Sequence, residues 1–138
     1  MDNRRDFLKF GGLCTIAQWG VAGAANKLPN SALHADQTKV DKQPFGELRI
    51  YYDGPTDQLK AMTAGSLLLK VGMSPHPPHE HPEEEIMVIA EGEGEISVEG
   101  KLSKVGPGSM MYCAANHLHG IVNTGKTPLL FYFYKWKA

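Results

Sequence analysis

The stretch His76–Gly92 reads HPPHEHPEEEIMVIAEG. Its first half crowds together His76, His79 and His81, three of the chain's six histidines, and then Glu83, Glu84 and Glu85. Its second half, EIMVIA, is an apolar run of strand length. Successive side chains on a strand point to opposite faces. His79, His81 and Glu85 share parity, so an extended backbone sets all three on one face. Glu84 points the other way, and Glu83, of matching parity, sits nearest the loop. Pro77, Pro78 and Pro82 keep the segment extended, because proline fixes φ and biases its predecessor toward β. Imidazole and carboxylate together suit a divalent transition metal such as Mn, Fe, Ni, Cu or Zn. These three ligands need a fourth from elsewhere, and AANHLHGIVN (Ala114–Asn123) offers His117 and His119.

The chain around this segment is punctuated like an all-β domain. GELRIYY (Gly46–Tyr52), GSLLLKV (Gly65–Val71), EIMVIA (Glu85–Ala90), EISVEG, KLSKV, SMMYC, GIVN and LLFYFYKW make eight short strand candidates. Gly-, Pro- or Asn-containing turns separate several of them. Thr56–Gly65 has room for one short helical turn. No segment keeps a helical period over 12 residues. Regular short strands point to a sandwich or barrel. At 138 residues with a hydrophobic fraction of 42%, one globular domain is expected. A net charge of -1 and the lack of a long basic run argue against nucleic acid as a partner.

The N-terminus, MDNRRDFLKFGGLCTIAQWGVAGAANK, has a different character. Arg4 and Arg5 precede Phe7, Leu8 and Lys9, and a weakly apolar stretch follows to about Ala25. NRRDFLK resembles a twin-arginine export signal. The apolar region holds Gly11, Gly12, Gln18 and Gly20, too short and too polar for a membrane anchor. Residues 1–25 are therefore expected to be a signal peptide, cut after Ala24 or Ala25. Removing residues 1–24 takes three basic and two acidic residues, so the net charge moves from -1 to -2. Cys14 leaves too, and Cys113 alone cannot form an internal disulfide. Residues 26–44 read as a polar linker or arm, with His34 solvated. Residues 45–138 form the folded domain.

Two motifs then resemble the cupin superfamily. HEHPEEEIMVIAEG fits its first motif, with His79, His81, Glu85 and Gly92 in place. GSMMYCAANHLHGIVN fits its second through Gly108, His119 and Asn123. Ala114 stands where proline is usual, and Asn116 where glycine is usual. Asn tolerates φ > 0 better than most residues, so the turn is expected to survive. Gly72 lies one residue further from His79 than the usual first glycine. Only 15 residues separate Gly92 from Gly108, the short spacing of small single-domain (type 2) bacterial cupins. The resemblance covers about Phe45 to Trp136. It implies an antiparallel jelly-roll barrel, or double-stranded β-helix, with a metal inside held by His79, His81, Glu85 and His119.

What the resemblance implies about activity is broader. Four protein ligands on a six-coordinate metal leave open positions for a small substrate or dioxygen. The metal would act as a Lewis acid or lower the pKa of bound water. The expected function is an exported metal-dependent enzyme of dioxygenase, isomerase or lyase type. The alternative is a non-catalytic metal- or small-ligand-binding module, sugar binding included. His117, Tyr132 and Tyr134 are the candidates for proton transfer. Tyr132 and Tyr134 share one face of the last strand, Phe131 and Phe133 the other, and either face is open to line the barrel. His76 reads as a loop residue able to reach the pocket mouth, Cys113 as a buried small hydrophobe, and Glu83 and Glu84 as solvated rim residues. The export route carries folded proteins, which favours Mn or Fe loaded before export over Zn, Ni or Cu acquired after it. A periplasmic or secreted location, a homodimer and passage through the twin-arginine machinery complete the expectation.

Overall fold

In the computed structural model the described residues are 26–138. The twin-arginine pattern, the cleavage site and Cys14 lie outside them. Among the described residues, nine antiparallel strands follow a 3₁₀ turn at Ala35–Gln37: β1 Val40–Gln43, β2 Gly46–Gly54, β3 Ala61–Leu69, β4 Glu84–Glu91, β5 Gly94–Val98, β6 Lys101–Val105, β7 Met110–Cys113, β8 His119–Val122 and β9 Leu129–Lys137. Six of them form one sheet in the order β1-β2-β3-β9-β4-β7, and three form a second in the order β6-β5-β8. No α-helix occurs among the described residues. The architecture is the all-β jelly roll expected from the sequence.

Period-two alternation builds the core. In β9, Leu129, Phe131 and Phe133 are buried, whereas Leu130 and Tyr132 are half-buried and Tyr134 exposed. In β4, Glu85, Met87 and Ile89 are buried between less buried neighbours. Ile96 and Ile121 of the three-stranded sheet join the same apolar cluster as Leu48, Leu67, Ile89 and Phe131 of the larger sheet. The two sheets therefore close over one core.

Strand register sorts the inward side chains of the larger sheet into rows. One row runs Leu48, Leu67, Phe131, Ile89. The next runs Ile50, Gly65, Phe133, Met87, Met111. Gly65 is small for a packing reason: a Cβ there would lie 2.6 Å from Phe133 Cζ. The third row runs Asp53, Thr63, Lys135, Glu85, Cys113. Packing thus gives way to polar groups at one end of the barrel.

Some elements differ from the sequence reading. The Thr56–Gly65 segment holds a Thr56–Leu59 turn closed by backbone and Thr56 hydroxyl bonds, not a helical turn. From Ala61 onward the segment is strand, because β2 and β9 pair with it on both sides. Within residues 26–44, strand β1 pairs with β2 through Val40–Gln43. The segment before it is tied down by Arg49, which donates to Ala35 O at 2.8 Å, and by Tyr52, whose hydroxyl donates to Ser31 O at 2.9 Å.

Candidate metal centre

Two backbone contacts bring the motifs together. His79 N donates to His119 O and His119 N to His79 O, each at 2.9 Å, an isolated bridge between the loop before β4 and strand β8. Asn116 N donates to His81 O at 2.7 Å. Asn116 itself sits at φ 61, in the left-handed region that its position in the turn requires. Asn123 is wholly buried and anchors the end of β8: its Nδ2 donates to Leu69 O and Thr127 O, and its Oδ1 accepts from Gly125 N.

The result is a cluster of His79, His81, Glu85 and His119, one ligand atom from each lying within 4.8 Å of the others. Glu85 points inward from the larger sheet and His119 from the smaller. They meet across the barrel at 2.7 Å, His119 Nε2 to Glu85 Oε2. The same carboxylate oxygen lies 2.9 Å from His81 Nε2.

Backbone carbonyls set the tautomers. A carbonyl oxygen only accepts, so His119 Nδ1 carries the proton it shares with His117 O at 3.0 Å, and His81 Nδ1 the one it shares with Glu83 O at 3.0 Å. In the neutral rings each Nε2 then presents a lone pair. Two lone pairs and a carboxylate oxygen converge in a buried space, and three acceptors cannot satisfy one another. Either protons or a cation must stand between them. The donor set fits a divalent transition metal: neutral imidazole nitrogens oriented by carbonyls, plus one carboxylate.

The titration behaviour fits as well. Burial alone would raise the Glu85 pKa, but hydrogen bonds with His119 and His81 overturn that and hold it at about 2. Burial works to lower His119, yet its bond to Glu85 raises it above the usual imidazole value. Burial pushes His79 down to about 3, aided by the neighbouring histidines, so its ring is neutral and ligand-ready at neutral pH.

Three neighbours of the cluster surprise. His76 lies in the loop before β4, as expected, but is buried there. Its ring stacks on His79 with centroids 3.7 Å apart, and its Nδ1 donates to Pro77 O at 2.7 Å. Burial lowers its pKa to about 4. Glu83, expected to be solvated, has its side chain 17% exposed, with Oε2 3.3 Å from His81 Nδ1, so it helps orient that ring. Lys135, unmarked in the sequence reading, is buried on the inward face of β9 beside Glu85. Its parity with Phe131 and Phe133 was the available signal.

The three proton-transfer candidates stand apart from the cluster. The His117 side chain is 54% exposed, and its Nδ1 bonds Glu99 Oε1 at 2.8 Å. Tyr134 is exposed. Tyr132 lies on the same outer face and packs toward Tyr51, ring centroids 6.3 Å apart. Phe131 and Phe133 took the inward positions, because apolar rings gain more from the core than phenols that need a polar partner. Glu84 points outward too and accepts from the Tyr112 hydroxyl. Cys113 is buried beside Met111 in the core, with burial raising its thiol pKa.

The family called Cupin domain matches residues 65–134, about half of the chain and every residue of the cluster. The chain belongs to the cupin family. Among solved structures, KdgF from Halomonas sp. superposes with TM-score 0.66 at 18% identity, covering 80% of this chain and 96% of that one. The polyketide cyclase RemF from Streptomyces resistomycificus gives 0.64 at 19% identity, covering 80% and 81%. An RmlC-like cupin from Shewanella frigidimarina gives 0.63 at 18%, covering 80% and 93%. These likenesses show a shared fold. No curated protein matches the chain.

Proposed function

We propose that the protein is an exported metal-binding cupin that takes a small organic molecule into the barrel at the metal and transforms it. One observation carries the metal: the convergence of His81 Nε2, His119 Nε2 and Glu85 Oε2 with no donor between them in the neutral state. His79, His81, Glu85 and His119 would hold the ion. When bound, it would supply Lewis-acid activation of a ligand or of water. The protein's own residues orient the ligands through Glu83 O and His117 O and keep the site within the barrel.

A second reading is a binding module without turnover. It gains from the outward placement of Tyr132 and Tyr134 and the exposure of His117, which remove the proton carriers named from sequence. Against it stand His76 and Lys135, buried polar groups on the barrel side.

The metal is proposed to be Mn or Fe, loaded in the folded state before twin-arginine export to the periplasm or medium. The sequence NRRDFLK supports the route. A homodimer is part of the same proposal, supported by edge strand β7, which exposes Met110 and Tyr112. Elemental analysis of protein recovered from the periplasm tests the centre. Stoichiometric Mn or Fe, lost in Glu85→Gln, is the expected result. Stoichiometric Zn or Cu would sink the loading argument, and metal-free protein that also refuses Mn, Fe and Co in vitro would sink the centre itself.

A further inference from the structure

The turn between β5 and β6 breaks a local rule. Val98 and Lys101 face each other across the hairpin, so Glu99 and Gly100 alone make the turn. Both have positive φ, 51 and 79. A two-residue hairpin turn with φ positive at both positions favours Asn, Asp or Gly at the first of them. Glutamate is a poor occupant of left-handed backbone. Strain of this kind persists only where the surroundings hold it in place.

What holds it here is the segment that leads into β8. Glu99 N donates to Leu118 O at 2.8 Å, a backbone bond that any residue could make. The side chain adds two bonds that need a carboxylate. Glu99 Oε1 accepts from Leu118 N at 2.9 Å and from His117 Nδ1 at 2.8 Å.

The Leu118 N–H shares one planar peptide unit with the His117 carbonyl. That carbonyl accepts from His119 Nδ1 at 3.0 Å. A single peptide therefore stands between the Glu99 carboxylate and the buried His119 ring. Its N–H is bonded to a carboxylate, so its plane cannot turn without breaking a charge-assisted bond. The same bond polarises the peptide and makes its carbonyl a stronger acceptor. The ring it orients presents Nε2 to Glu85 Oε2 at 2.7 Å. His81 is served more directly: the Glu83 carboxylate lies 3.3 Å from its Nδ1.

We propose that Glu99 is a positioning residue for the metal centre, acting on His119 through the His117–Leu118 peptide. This rests on the metal-centre reading above. The Glu99 side chain is 55% exposed, so its ion pair contributes little to folding. The proposal therefore requires two effects of different sign. A residue better suited to the turn should leave the fold as stable or more so, and should weaken the hold on the metal.

The test uses the full chain stripped of metal, with two measurements on each variant. Urea denaturation reads the stability of the apo protein, and cobalt(II) titration against a chelating indicator reads affinity. Glu99→Asn should unfold at the parent's urea midpoint or above it, and Glu99→Gly close to it. Both should bind cobalt about tenfold more weakly, the low end for loss of an outer partner of a ligand. Glu99→Gln keeps an oxygen acceptor for Leu118 N–H and should recover part of that loss. Parental cobalt affinity in both Glu99→Asn and Glu99→Gly would overturn the role of Glu99 and leave the metal centre standing. So would a loss of affinity that only tracks a loss of apo stability, which marks a structural turn residue. Glu99→Gln binding as weakly as Glu99→Gly would overturn the action through Leu118 N–H. A parent protein that takes up no cobalt would sink the metal-centre reading, and this proposal with it.

Discussion

The two ends of the barrel are built from the same strands with the same alternation, yet they do different work. At one end, Leu48, Leu67, Phe131 and Ile89 lie side by side across β2, β3, β9 and β4, all buried to about 1% exposure or less. Four residues further along β9, the same inward parity brings Lys135 instead, flanked by Thr63 and Glu85. The first row is held by contact area and can be argued from burial. The second holds charge where charge is expensive, which pure packing would replace with apolar residues at no loss. The second row includes Glu85, one of the four side chains that could hold a metal ion. The comparison separates stability from function along a single strand, and it can be broken at either end.

Damage to the packed end should have the largest effect. Phe131→Ala removes a fully buried ring and should cost about 3–5 kcal/mol in chemical denaturation. If Phe131→Ala also abolished metal binding in the fraction that stays folded, the separation of the two ends would fail. Stripping the metal is the next step down. Ligand held at a hundred times its dissociation constant stabilises by about 2.7 kcal/mol, so chelation should lower stability by that order and re-addition should restore it. A melting temperature indifferent to chelator would mean that the polar row carries no ion. Glu83→Gln tests a finer point. The carboxylate lies 3.3 Å from His81 Nδ1, and losing its charge should weaken metal affinity about tenfold while leaving the apo protein's stability within about 0.5 kcal/mol. No change in affinity would assign ring orientation to the Glu83 carbonyl alone.

How much of this was legible before the fold was seen follows the same division. Packing rows are written in period two, so strands β2 to β9 and the inward parity of Glu85 could be read from alternation and turns. The meeting of His79, His81, Glu85 and His119 was legible because two spaced motifs carried those residues. Strand β1 was missed because Val40–Gln43 is largely polar: its pairing with β2 comes from backbone bonds, which leave no hydrophobic signature. The face of β9 stayed open because LLFYFYKW is apolar or aromatic at nearly every position. Once Phe131 and Phe133 are known to point inward, Lys135 follows from parity alone. His76 was hidden for another reason. It lies in a proline-rich loop, where no period predicts direction, and only the fold shows its ring stacked on His79.

The smallest effect concerns the turn that joins the two motifs. Asn116 sits at φ 61 and donates its backbone N–H to His81 O, so the turn's geometry is coupled directly to a ligand's backbone. A Cβ-bearing residue without a short polar side chain pays about 1–2 kcal/mol for the left-handed conformation, whereas glycine adopts it freely at an entropic cost in the unfolded chain. Asn116→Ala should therefore lose about 1 kcal/mol, and Asn116→Gly should stay within about 0.5 kcal/mol of the parent. Metal affinity should follow the same order, because a turn that relaxes toward negative φ withdraws the N–H from His81 O. Equal stability in both variants would show that the turn is not strained. A stability loss in Asn116→Ala with metal affinity intact would show that the polar end tolerates movement of its turn, and that the ligands are placed by the His79–His119 bridge instead.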